Sequence, residues 1–323
     1  MKDPLPRMVR VNIERPCPVC KKPNWCLISP DGKAAICKRV ESRKCLKNDA
    51  GWLHRLEEPL PAFVAKPQQK RVYDVRLDHD ARICCRNMEP GKREMLATSL
   101  GLPKTGLNCI ELLGWRIDGD GTGCFTFPEC DGMNRVIGLN RRYSNGKKMH
   151  LPGGGRGLTL PKGWDEMGEG PIFVVEGPTD TAAMVCGGLQ AWGRPSNSGG
   201  VAMIAEALGA ISPNRSVVIV GENDCKPDGM WPGLIGAVSV AGNLQSKVRN
   251  KVIWSLAPTD YKDVREYLTG EQFELVAWID RGALLAKELL EHSHPATYCP
   301  TGYSGLVNDL RKQISFDEER WRY

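Results

Sequence analysis

Between residues 170 and 270, short blocks of apolar and β-branched residues alternate with longer blocks of helical spacing. PIFVVEG (171–177) is a short β-branched run ending in glycine, the pattern of a buried strand. PTDTAAMVCGGL (178–189) reads as a helix with Thr179 or Asp180 in its first turn. SVVIVGEND (216–224) is a second buried strand and PGLIGAVSVAGNLQSKV (232–248) a second helix. KVIWSLA (251–257) is a third strand, and KDVREYLTG (262–270) a short helix stopped by Gly270. Strands and helices alternating at this spacing predict a parallel sheet covered on both faces. LLAKELLEH (284–292) repeats its apolar positions every three or four residues, which predicts a further helix.

The remaining chain sorts around this block. Residues 1–57 are rich in cysteine and basic residues. Residues 58–75 (EPLPAFVAKPQQKRVYDV), with three prolines and two glutamines, read as a linker. Residues 76–168 precede the alternating block, which occupies 169–270, and 271–323 read as a helical C-terminal region ending in a charged tail. The expected class is α/β with a small β module in front. No internal repeat is visible.

Composition changes this picture in two places. The chain has 323 residues and a net charge of +6. Residues 1–60 hold thirteen Lys/Arg against seven Asp/Glu, so the excess lies there and the rest of the chain balances. Inside that balance, 132–163 holds seven basic residues and no acidic one. Segregated positive charge suits a polyphosphate partner, although a solvated face has the same composition. No apolar run is long enough to span a bilayer, and the N-terminus lacks the apolar core of a signal peptide. A cytoplasmic protein is the expectation.

Five of the thirteen cysteines fall between Cys17 and Cys45. In a reducing compartment such a cluster reads as a metal site. Cys17-Pro-Val-Cys20 has the two-residue gap that puts two thiolates on one tetrahedral zinc. Asp31-Gly32 favours a two-residue hairpin turn, and counting outward from it sets Cys26 opposite Cys37. Cys17, Cys20, Cys26 and Cys37 are therefore the expected zinc ligands, with Cys45 a rival for one place. About sixty residues build little core, so the zinc is expected to be structural. Lys21, Lys22, Trp25, Lys33, Lys38 and Arg39 would give the ribbon a cationic surface with an aromatic for stacking single-stranded DNA, unless Trp25 packs inside.

In the main block, Glu176 follows one strand, and Glu222 and Asp224 follow another. Strand ends of a parallel sheet gather at one rim, where ligands bind. Hard oxygen ligands meeting there suit Mg2+ or Mn2+ and phosphoryl transfer. Singly, each acid also reads as a solvated loop residue or a helix cap.

FVVEGPTDTAA, VVIVGEND and YKDVREYL together resemble the Toprim domain of DnaG-type and phage-type DNA primases. NRVIGLNRRYSNGKKMHLPGGGRGL (134–158) resembles the basic segment before it, and the cysteine module resembles their zinc-binding domain. Order and spacing match over most of residues 15–270. The resemblance implies a primase-type core, with an α+β subdomain at 76–168 and a Toprim sheet at 169–270. It also implies a template-directed RNA polymerase that makes short primers from ribonucleoside triphosphates on single-stranded DNA, in a phage or mobile element. By it, Glu176 is a candidate general base, and Glu222 and Asp224 are the metal-binding pair. Asp180 and Asp263 complete the catalytic acids. Arg135, Arg141, Arg142, Lys147, Lys148, Arg156 and Lys262 seat template and nucleotide phosphates. The chain departs from the pattern at Glu222, where Asp is usual, in the longer loop after Asp224, and at Gly233-Leu234, where Gly-Arg is usual. Asp228 in that loop is a further candidate metal ligand. No GxxxxGK[ST] occurs, so a replicative helicase would act in trans. The alternatives are a Toprim nuclease, or a non-catalytic single-stranded-DNA-binding adaptor with a decayed site.

Overall fold

The structure, a computed structural model, describes residues 8–12, 14–46, 50–56, 75–166, 168–273 and 276–319. The chain divides into two compact units, Met1–Gln69 and Lys70–Tyr323. The segment read as a linker lies outside the described residues, except for Val75, which opens a helix rather than closing a linker.

The first unit is a four-stranded antiparallel sheet of β1 (Val9–Arg10), β2 (Leu27–Ile28), β3 (Ala34–Cys37) and β4 (Trp52–Arg55), in that order. Leu27 pairs with Ile36 and Ile28 with Ala35, the register expected from the Asp-Gly turn. The turn itself is wider than the two-residue form. Ser29 and Ala34 close it, and the Gly32 N–H donates to the Ser29 carbonyl with Gly32 at φ +71°. Its core is small: Val11, Ile28 and Ala35 around three buried cysteines.

The second unit begins with α1 (Val75–Arg86) and α2 (Pro90–Ser99). An antiparallel sheet follows, of β5 (Gly114–Ile117), β6 (Gly123–Cys130), β7 (Val136–Arg142) and β8 (Lys148–His150) in sequential order. Leu77 and Ala81 of α1 pack on Val136 and Leu139 of β7.

The main sheet contains β9 (Ile172–Glu176), β10 (Ala191–Arg194), β11 (Val217–Gly221) and β12 (Val252–Leu256), ordered β10-β9-β11-β12 and all parallel. A short antiparallel strand, β13 (His294–Pro295), closes the β12 edge, so the region after residue 270 is not purely helical. The intervening helices are α3 (Gly177–Cys186), α4 (Val201–Leu208), α5 (Pro232–Gln245) and α6 (Val264–Leu268), followed by α7 (Trp278–Glu291) and α8 (Ser304–Glu319).

Strand alternation divides the core into two. Ile172, Val174, Val217, Ile219, Val252 and Trp254 face α4, α5 and α8. Phe173, Val175, Val218, Val220 and Ile253 face α3, α6 and α7. Burial on both faces explains why these strands read as unbroken apolar runs. β10 and α4 were not singled out from the sequence. The four-residue strand AWGR carries an arginine, and the helix VAMIAEAL lacks a capping side chain.

Two local features set the geometry of the rim at the strand C-termini. Leu158 bridges Cys130 of β6, and Thr159 bridges Gly193 of β10, which stitches the antiparallel sheet to the edge of the parallel one. Gly221 and Gly233 let the end of β11 meet the first turn of α5. A Cβ on Gly233 would lie 2.0 Å from the Glu222 carbonyl oxygen.

Candidate metal and nucleic-acid site

In the first unit, sulfur atoms of Cys17, Cys20, Cys26 and Cys37 all lie within 4.8 Å of one another. Cys20 and Cys26 are 3.7 Å apart, and Cys26 and Cys37 3.9 Å. Thiolates at 2.3 Å from a tetrahedral zinc are about 3.8 Å apart, so the cluster fits that ion. Backbone N–H groups of Lys38, Arg39 and Val40 donate to the sulfurs of Cys26 and Cys37, as groups that stabilise thiolates do. Burial pushes Cys26 up to about 12. At Cys20, burial is outweighed by the Lys22 backbone N–H and the neighbouring thiols, bringing it to about 6. Cys45 is exposed and its thiol turns to the Leu46 carbonyl, outside the cluster.

Lys21, Lys22, Lys33, Lys38 and Arg39 are exposed, and Trp25 is 74% exposed rather than packed inside. Trp25 holds φ +67°, uncommon for a bulky residue. Arg39 is engaged: its guanidinium donates to the Asn24 carbonyl at 2.9 Å and to Asn24 Oδ1 at 2.6 Å.

In the second unit, carboxylate oxygens of Asp180, Glu222 and Asp263 lie within 4.8 Å of one another. Each comes from a different element. Asp180 is in the first turn of α3, Glu222 follows β11, and Asp263 caps α6 by accepting the Glu266 N–H at 2.8 Å. The Asn223 N–H donates to the Lys262 carbonyl at 2.7 Å, which ties the β11 exit to the segment bearing Asp263. Asp180 is buried. Burial first, then the charge of Asp263, raise its pKa well above the usual carboxylate range. Arg265 lies 3.7 Å from both Asp180 and Asp263. Lys262 Nζ sits 3.1 Å from Glu222. Three acids, two of them buried, held together with partial compensation are what a divalent cation fits.

Of the expected ligands Glu176, Glu222, Asp224 and Asp228, Glu222 is the one in this cluster. Glu176, the last residue of β9, is close enough for Glu222 and Asp224 to raise its pKa, after the larger effect of burial. Asp224 caps α5, accepting the Gly233 N–H at 2.8 Å, and lies 3.8 Å from Lys226. Asp228 is exposed and accepts the Met230 N–H within its own turn. The longer loop thus carries Asp228 outward, and Asp180 and Asp263 take the places beside Glu222.

The basic residues divide similarly. Arg135, Arg141 and Arg156 are engaged by Asp131, Asp118 and Glu129, all within 2.9 Å. Lys147 and Lys148 are exposed at the β7–β8 hairpin. Lys148 favours the charged form of Asp180, and Arg142, lowered by burial, also feels Arg265. The basic hairpin therefore borders the acidic rim. Arg265 and Arg194 were missed in the sequence: Arg265 sits among charges of both signs in KDVRE (262–266), and Arg194, within AWGR, is fully buried.

Fold and site together describe a two-unit α/β chain with a cysteine cluster in one unit and an acidic sheet rim in the other. No protein-family profile and no curated protein sequence matches it. Among solved structures, it is similar to a DnaG primase catalytic domain bound to single-stranded DNA, at 18% identity and TM-score 0.45, covering 73% of this chain and 81% of that one. It is also similar to the zinc-binding and RNA polymerase domains of the Aquifex aeolicus primase, at 15% identity and TM-score 0.47, covering 77% and 66%. A third similar structure is the primase fragment of the bacteriophage T7 primase-helicase, at 15% identity and TM-score 0.40, covering 86% and 98%. Among the described residues no helix is long and apolar enough to cross a membrane.

Proposed function

We propose that the chain is a DNA primase of Toprim type, joining ribonucleotides on a single-stranded DNA template in the cytoplasm. The observation that carries this reading is the meeting of Asp180, Glu222 and Asp263 at one sheet rim, bordered by the basic hairpin at Lys148. Asp180, Glu222 and Asp263 would hold Mg2+ or Mn2+, with Glu176 and Asp224 beside them. When bound, the metal neutralises phosphate charge and stabilises attacking and leaving oxygens. Glu176, kept protonatable by burial, accepts the proton of the attacking 3′-hydroxyl at its carboxylate. Lys262, Lys148, Lys147 and Arg142 seat the triphosphate and template phosphates. Arg135, Arg141 and Arg156 hold the strands that present them. The four cysteines hold a structural Zn2+, and Trp25 with Lys21, Lys22 and Lys38 contacts single-stranded DNA.

Labelled ribonucleotides supplied with end-labelled single-stranded DNA and Mg2+ test this. A primase yields new labelled oligonucleotides and leaves the DNA intact, whereas a nuclease shortens the DNA without using nucleotides. Glu176→Gln should reduce synthesis by about 10²–10⁴-fold with DNA binding nearly unchanged. Synthesis at the wild-type rate in both Glu176→Gln and Asp224→Asn would show that these acids are not the catalytic ones.

A further inference from the structure

Arg194 ends β10 at the rim, and none of its surface is exposed. In the parallel register it stands directly opposite Glu176 of β9. Its guanidinium does not stop there. One nitrogen donates to the Val220 carbonyl of β11 at 3.0 Å, and another donates to the Asn197 carbonyl in the loop leaving β10. Since β9 lies between β10 and β11, this side chain spans β9 to reach the strand that delivers Glu222. Val220 is two residues before Glu222.

A buried arginine is costly, and a hydrophobic residue would serve a plain core better. Here the neighbouring positions of the same face, Trp192, Val174 and Ile219, are apolar. The charge appears only at the rim, beside acids. No carboxylate lies within ion-pair distance of Arg194 among the described residues, so two of its nitrogens serve backbone carbonyls, its Nε has no hydrogen-bond partner, and its charge acts on Glu176 and Glu222 at longer range.

The geometry points to Arg194 as a positioning residue: a lateral strut that joins the ends of β10 and β11 across β9 and fixes where Glu222 stands relative to Asp180 and Asp263. Arginine suits this because its planar fork reaches two acceptors at once. Lysine keeps the charge but presents a single ammonium on a flexible stem. Substitution by lysine therefore separates strut from charge.

The inference rests on the metal-binding part of the proposed function, and its test does not depend on catalysis. In the full-length, zinc-loaded chain, Arg194→Lys should weaken Mn2+ binding, read by electron paramagnetic resonance titration, by about 10-fold. Arg194→Met should weaken it at least as much. The thermal transition of the second unit should persist in the lysine variant. If the wild-type chain makes primers, the lysine variant should lose kcat by about 10²-fold with KM for nucleotides little changed, as expected when reacting groups are displaced. A wild-type chain that binds Mn2+ but makes no primers removes the primase reading and leaves the strut intact. Wild-type Mn2+ affinity in Arg194→Lys overturns the strut. Failure of both variants to fold overturns it too, by assigning Arg194 to the core instead of the site.

Discussion

Asp180 is the residue whose environment is most costly without a bound cation. Its carboxyl is buried beside Asp263, and both effects favour the protonated form. An acid whose folded pKa is raised binds its proton more tightly in the native state than in the unfolded one. In metal-free protein, the contribution of Asp180 to stability is therefore greatest below the ordinary carboxylate range and declines as pH rises toward the folded pKa. Glu176 contributes in the same direction. The melting temperature of the metal-free wild type should fall over that interval relative to that of Asp180→Asn. Asp180→Asn should flatten the slope, and Mg2+ should restore stability to the wild type more than to the variant. In the first unit, Arg39 clamps Asn24 beside the exposed Trp25. Arg39→Met should weaken single-stranded DNA binding about as much as Trp25→Ala does, by roughly 1–3 kcal/mol, measured by fluorescence anisotropy.

At the scale of elements, the acids meet because strand ends and helix starts are pressed together. The contact of β11 with α5 depends on Gly221 and Gly233, and Asp224 closes it by accepting the Gly233 N–H. Gly233→Ala would drive a methyl group into the Glu222 carbonyl and should destabilise the second unit by about 1–3 kcal/mol, seen by calorimetry. Much of this level was legible in the sequence. β9, β11 and β12 are buried on both faces, so their apolar runs are unbroken, and the glycines and prolines mark their ends. β10 was not legible, because Gly193 and Arg194 break its apolar run and Arg194 is buried for the sake of the rim. The choice of ligands was legible only in part. Glu176, Glu222 and Asp224 stand out by following strands. What commits Asp224 to the α5 cap is the meeting of β11 with α5, and what brings Asp180 and Asp263 to Glu222 is the approach of α3 and α6, which no local pattern records.

For the whole molecule, the two units differ in what holds them together. The second has two large apolar layers on either side of its sheet. The first has a core of a few side chains around the cysteines. With so small a core, the first unit would draw much of its stability from a metal held by the four cysteines. Removing zinc with a chelator should abolish the transition of the first unit and leave that of the second in place, resolved by calorimetry of the intact chain. A single transition lost entirely on chelation would contradict separate stabilisation of the units.

The claim on which the reading turns is that Asp180, Glu222 and Asp263 hold one divalent cation at the sheet rim. Mn2+ titration of the zinc-loaded chain, followed by electron paramagnetic resonance, measures this directly. The expected result is a saturable Mn2+ site in the wild type that is lost in the Asp180→Asn, Glu222→Gln double variant, while Asp228→Asn leaves it unchanged. A site that survives the double variant, or no saturable Mn2+ binding in the wild type, would contradict it.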